Sequence, residues 1–168
     1  MKRSWWILML LLTGMVSIYG TCRYSLKDVS IPPDVKTVKV NVFENRARYV
    51  NPLLAPRLTD RLRQKIVNQT RLSQTNNEAD YNVSGTITDY SVTTSGISNQ
   101  QASSNNLNVT VHLVFVNRLD NKANFEADIT RNFPFDASLT LQQAESKLAD
   151  DIIGNLTDEI FNRVFSNW

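Results

Sequence analysis

The sequence predicts an α/β (α+β) two-layer sandwich in the order β-α-β-β-β-α, a mixed four-stranded sheet with two helices on one face. Three observations carry this. Apolar residues fall at every second position over Leu107–Phe115 and again over Phe125–Phe135, the period of half-buried strands. Apolar residues recur every fourth position over Leu54, Leu58, Leu62 and Ile66, and over Ala144, Leu148, Ile152, Leu156 and Ile160, the period of amphipathic helices. The first helical row stands between two strand patterns, so a right-handed crossover makes those strands parallel and leaves the rest to meander antiparallel.

The elements follow in order. Val38, Val40 and Val42 alternate with Lys39 and Asn41 as a first strand. Asn51-Pro52 opens a helix over about 52–70, with Asn as the cap and Pro in the first turn. Its apolar row, with Val67 beside it, faces inward, while Arg57, Asp60, Arg61, Gln64 and Asn68 cover a solvated outer side. A polar turn, Gln74 to Asp80, precedes Tyr81, Val83, Gly85 and Ile87. Beyond Asp89 the apolar phase flips to Tyr90 and Val92, and a flip of one residue implies a β-bulge or a strand leaving the sheet.

Thr93 to Asn106 lacks periodicity and is rich in Ser, Asn, Gln and Gly, so it is expected to be a long loop and a contact segment. The strands on either side of Leu119-Asp-Asn-Lys122 form a hairpin. From Thr140 to about Ser166 one helix runs on, Thr140 and Gln143 being spaced as a capping box. At ~1.5 Å per residue that helix is about 40 Å long. Gly154 costs it roughly 1 kcal/mol relative to Ala, which a close approach of a neighbouring element would explain.

Residues 1–21 read as a signal peptide. Lys2 and Arg3 precede an apolar run from Trp5 to Leu12, and Thr13, Gly14, Ser17 and Gly20 interrupt it before the roughly 20 apolar residues a bilayer span needs. Cys22 is the only cysteine of an exported chain, so no internal disulfide explains it. Gly20 and Thr21 ahead of it suit bacterial lipoprotein processing, in which the thiol of Cys22 is lipidated and ties the chain to a membrane. The alternative is ordinary cleavage nearby, leaving a free thiol. Residues 22–35, with Pro32-Pro33, form a tether, and 36–168 a single domain.

Of 18 basic and 16 acidic residues the signal holds two basic and no acidic, so cleavage leaves 16 of each sign. A balanced domain argues against nucleic acid as a partner. No glycine-rich phosphate loop, Cys/His zinc spacing or nucleophile elbow occurs, which points to a protein that is not an enzyme and needs no cofactor or metal. The one conceivable acid, base or metal cluster joins the only histidine, His112, to Glu126 and Asp128, and a cross-strand charge pair on a solvated face explains the same residues. The four Asn-x-Ser/Thr triplets at Asn68, Asn82, Asn108 and Asn155 arise by chance in so Asn- and Thr-rich a chain.

With both helices on one face, the other face of the sheet is uncovered and strongly polar. It is lined by Asn82, Ser84, Thr86, Thr88, Asn108, Thr110, His112, Asn124, Glu126, Asp128 and Thr130. The candidate partner-binding residues are Ser84, Thr86, Thr88, Asn108, Thr110 and His112 on that face, with Ser98 in the expected loop.

Ile31-Pro-Pro-Asp34, Phe43-Glu-Asn-Arg-Ala47, Val50-Asn-Pro-Leu-Leu54, Gly85-Thr-Ile-Thr-Asp-Tyr90, Ile160-Phe-Asn162 and the terminal Asn167-Trp168 stand in a characteristic order. In these blocks the chain resembles a divergent branch of the LptE-like lipopolysaccharide-assembly lipoproteins, over essentially the whole mature domain. The resemblance implies a sheet with two helices on one face. It further implies a lipid-anchored protein on the periplasmic side of the outer membrane, lodged in the LptD β-barrel and helping deliver lipopolysaccharide to the cell surface. No lipopolysaccharide-contacting residue is carried over, because none lies in a matching motif. The rival reading is a periplasmic scaffold or accessory lipoprotein of another envelope complex.

Overall fold

A computed structural model describes residues 31–98 and 101–166. The signal segment, Cys22 and most of the tether lie outside the described residues. The elements are β1 (Thr37–Val40), β2 (Glu44–Asn45), α1 (Leu54–Gln69), β3 (Ser73–Gln74), β4 (Tyr81–Ser98), β5 (Gln101–Asn117), β6 (Phe125–Asp136) and α2 (Leu141–Phe165). A 3-10 turn at Asn121–Ala123 links β5 to β6.

The architecture is two helices on a mixed sheet, and the sheet has six strands, not the expected four. The order β-β-α-β-β-β-β-α differs from the expected one because of β2 and β3, two-residue strands too short to carry any periodicity. The strands lie in the order β3-β1-β4-β5-β6, with β2 pairing β4 beyond the end of β1. β1 runs parallel to β4 and to β3, whereas β4, β5 and β6 are antiparallel.

One core lies between the sheet and the helices. Leu58, Leu62, Ile66, Leu156 and Ile160 are 0–1 % exposed, as are Val83, Ile87, Leu107, Val109, Val111 and Leu113 beneath them. Arg57–Asp150 and Lys65–Asp158 ion pairs tie α1 to α2 across the outer surface. Arg131 of β6 pairs with Glu159, so a charged residue takes the inward-phased position at the sheet edge where the next apolar residue would stand. Among the described residues no helix is long and apolar enough to cross a membrane.

Most departures from the periodic reading trace to the ends of elements. α1 begins at Leu54, with Leu53 in the cap position and no side-chain cap. Asn51 acts one turn earlier, accepting from the Leu53 amide. Val67 and Val42 are exposed. After Val40 the chain leaves β1 and shifts phase, so that Phe43, not Val42, enters the core. Thr59 fixes that shift: its buried hydroxyl accepts from the Phe43 amide and donates to the Ala55 carbonyl. Gly85 then lies against the Phe43 ring, where an added Cβ would stand 2.5 Å from Cε2. The capping box of Thr140 and Gln143 is present in α2. Gly154 has open space around it, so the expected close approach does not account for it.

The larger correction concerns Thr93 to Asn106. This stretch is not a loop: β4 and β5 continue as one long hairpin, pairing Thr93 with Asn106 and Ser98 with Gln101. The phase flip after Ile87 is the expected bulge, with Thr88 as the extra residue between the pairs Ile87–Val111 and Asp89–Thr110. Two further register shifts, after Thr94 and after Gly96, erase alternation from the sequence while leaving the hairpin paired.

Asp80 closes the opposite end of the sheet. Its Oδ2 accepts from the Lys36 and Thr37 amides and the Thr37 hydroxyl, each at 2.9 Å. The Thr37 hydroxyl in turn accepts from the Asp80 amide. These donors favour the carboxylate and hold the Asp80 pKa below its ordinary value, the Lys36 amide contributing most. Arg71 donates to the Ile31 and Pro32 carbonyls, and Val35 is buried, so the end of the expected tether packs against the domain.

Candidate functional site

Strand alternation decides which side chains reach the face turned away from the helices. On β4, odd-numbered Tyr81 to Ile87 point into the core and Ser84 and Thr86 point out. On β5, odd-numbered Leu107 to Phe115 point in and Asn108, Thr110 and His112 point out. The antiparallel register sets Thr86 opposite His112 and His112 opposite Asp128, with Thr110 opposite Thr130. Six of the seven candidate residues, Ser84, Thr86, Thr88, Asn108, Thr110 and His112, therefore share one surface. Ser98 stands apart at the hairpin tip, and its side chain lies outside the described residues.

The face is knitted by hydrogen bonds between neighbouring strands. Asn41 Nδ2 donates to Asn82 Oδ1 at 2.8 Å and to Ser84 Oγ at 2.9 Å. The hydroxyls of Thr110 and Thr130 are 2.9 Å apart, and Asn108 Nδ2 donates to Thr93 Oγ1 at 3.1 Å. Thr88, displaced by the bulge, reaches the Thr110 carbonyl at 3.5 Å. His112 sits between two carboxylates, its Nδ1 2.7 Å from Asp128 and its Nε2 3.5 Å from Glu126. Both carboxylates are largely solvated, so their attraction for the imidazole is screened. The described residues contain no group of three or more His, Cys, Asp or Glu arranged to hold a metal ion.

Chemically the surface offers short hydroxyl and amide groups, one imidazole and a few carboxylates on a rigid sheet, suited to hydrogen bonding with another polar surface. Val114 and Val116 add a half-buried apolar strip beside it, which the polar reading of the face missed. Their signal was present, since both occupy outward phases of β5.

The helix layer carries a cleft of its own. A cleft of about 680 Å³ opens between the Tyr49–Leu53 segment, the start of α1, Tyr90 and the first half of α2. Its walls include Leu54, Glu145, Ile152 and Ile153. Tyr90 donates to Glu145 Oε1 at 2.8 Å, and burial, reinforced by that bond, raises the phenol pKa well above its ordinary value. The sequence gives little notice of this cleft. The bulge brings Tyr90 to the helix side, while Glu145 follows buried Ala144 as an ordinary charged position of an amphipathic helix.

Comparison with known proteins places this geometry. The family model described as LptE, lipopolysaccharide assembly, matches residues 35–164. No curated protein matches the chain. Among solved structures, a minor lipoprotein from Acinetobacter baumannii is 17% identical, with 77% of this chain and 92% of that one covered and a TM-score of 0.51. The uncharacterized lipoprotein B from Nitrosomonas europaea is also 17% identical, with 83% and 87% covered and a TM-score of 0.54. A hypothetical protein from Chlamydia trachomatis, 13% identical with 77% and 95% covered, gives a TM-score of 0.54. These are likenesses of fold. Because the family match extends from the buried Val35 almost to the end of α2, the chain belongs to the LptE family, the family of lipopolysaccharide assembly.

Proposed function

We propose that this protein is held on the periplasmic side of the outer membrane by lipid on Cys22, and that it docks with an LptD-type β-barrel to assist lipopolysaccharide assembly at the surface. Membership of the family supports the pathway. The observation that carries the docking is the uncovered sheet face, where Ser84, Thr86, Asn108, Thr110 and His112 lie in adjoining rows with no helix over them. Outer-membrane barrels have polar interiors, and a Thr- and Asn-rich sheet is matched to such a wall. The β4–β5 hairpin extends the same sheet toward Ser98 and supplies reach. Position and shape, with no bond made or broken, are what such a role requires.

Photo-cross-linking residues at Thr86, Thr110 and Ser98 in cells test the reading. The expected result is one large barrel protein trapped from all three sites, together with loss of surface lipopolysaccharide on depletion of the protein. Normal surface lipopolysaccharide after depletion, with no barrel trapped from any site, would replace this reading with that of a scaffold for another envelope complex.

A further inference from the structure

The helix-layer cleft contains a charge without a counter-charge. Glu145 accepts from Tyr90 Oη at 2.8 Å and Asn51 Nδ2 at 3.1 Å through Oε1, and from Tyr49 Oη at 3.5 Å through Oε2. All three donors are neutral. Among the described residues no lysine or arginine forms an ion pair with Glu145, and the basic residue that lines the cleft, Arg57, is already paired with Asp150. Oε2 keeps most of its acceptor capacity, since its one partner is at the outer limit of a hydrogen bond.

The surroundings add a second preference. Tyr49 stacks on Tyr90, with ring centroids 5.7 Å apart at 24°, forming an aromatic wall beside the carboxylate. Tyr49 and Leu53 of the lining expose 45 % and 66 % of their surface, and Val50 between them in sequence 52 %, a concentration of apolar area in the five-residue segment Tyr49–Leu53. A carboxylate next to tyrosine rings recognises a cation, and a planar guanidinium best of all, because it stacks on an aromatic face and forks onto carboxylate oxygens. The exposed apolar rim extends past the cleft, which calls for a ligand with apolar groups on either side of its cation.

We propose that this cleft is a second docking site, taking an arginine side chain flanked by apolar residues from a partner polypeptide. Glu145 receives the guanidinium, the Tyr49–Tyr90 pair stacks against it, and Leu53 covers the neighbouring apolar residues. An anionic tail or headgroup is disfavoured by the same carboxylate. The cleft faces away from the polar sheet surface, so this site is independent of the docking proposed above.

Titrating the isotope-labelled full chain in mild detergent with the peptide acetyl-Ala-Leu-Arg-Leu-Ala-amide, followed by amide NMR, tests the assignment. Saturable shifts are expected at Tyr49, Leu53, Glu145 and Ile153. The same peptide with citrulline, which is neutral and of equal shape, is expected to bind at least ten-fold more weakly. Glu145→Gln should abolish the preference for arginine over citrulline, and Leu53→Ser, an exposed change that the fold tolerates, should weaken both peptides. Equal binding of the two peptides, shifts confined to the sheet face, or tighter binding of octanoate or of free octylguanidine than of the arginine peptide would overturn the assignment.

Discussion

At the scale of single residues, Gly85 in β4 and Gly154 in α2 have opposite meanings. Gly85 is required by contact: a methyl group there would enter the Phe43 ring, which Thr59 holds in place from α1. Gly85→Ala is expected to lower stability by about 1–3 kcal/mol in urea unfolding, the usual cost of overpacking. Gly154 meets nothing within 4 Å, so Gly154→Ala should raise stability by about 0.5–1 kcal/mol through helix propensity alone. Asp80 makes a third test. Its folded pKa lies below the ordinary carboxylate value of about 3.9, so its contribution is fully present above that value and lost as pH falls through the lower, folded one. Asp80→Asn should therefore cost about 1 kcal/mol at neutral pH, a figure kept small by the solvent around the site, and should flatten the fall in melting temperature below about pH 4. An unchanged acid limb in the variant would show that the three bonds to Oδ2 do not couple to folding.

At the scale of elements, periodicity was a sound guide wherever one face is buried along the whole length. The rows Leu54–Leu58–Leu62–Ile66 and Ile152–Leu156–Ile160 and the odd-numbered positions from Leu107 to Phe115 of β5 are all in the core. Leu58→Ala and Leu156→Ala, each removing a side chain that is 0 % exposed, should each cost about 2–5 kcal/mol in equilibrium unfolding, and values under about 1 kcal/mol at both would mean that the helices turn other faces inward. Periodicity misled where burial is absent. The Thr93–Asn106 stretch is paired on the backbone but lies beyond the helices, with Thr93, Thr94 and Ser95 all exposed, so alternation had no core to match. Backbone hydrogen bonds hold strands irrespective of side chain, and register shifts then scramble what pattern remains. β2 and β3 illustrate the same limit in length, since two residues form a bridge without a period.

At the scale of the whole molecule, the layers separate two surfaces of different chemistry. The sheet face is wet, hydroxyl-rich and flat; the helix layer carries a cleft with aromatic and apolar walls. On the proposed function, lipid on Cys22 would anchor one end of the protein while these two surfaces hold partners in place. The anchor itself is open to a direct test. Two or more acyl chains, at ~0.8 kcal/mol per buried CH₂, hold a protein to a membrane where one chain is marginal. Cys22→Ser should move the protein from the membrane pellet to the soluble periplasmic fraction, while unchanged partition would assign the attachment to the domain instead.

By itself the sequence determined the helix rows, the phase flip within β4, the β5–β6 hairpin, the capping box of α2 and the family, because each is written in local spacing or in the order of short blocks. It also placed Ser84, Thr86, Asn108, Thr110 and His112 on one polar face, since alternation fixes facing as soon as the helices are assigned to the other side. Tertiary structure alone decided the register that sets His112 between Glu126 and Asp128, the swing of the chain that buries Phe43 against Gly85, and the meeting of Tyr49, Tyr90 and Asn51 on Glu145. The physical reason is range. Burial of one face imprints a period on neighbouring residues, whereas a contact such as Asn51 with Glu145, 94 residues apart, depends on where whole elements pack and leaves no local mark.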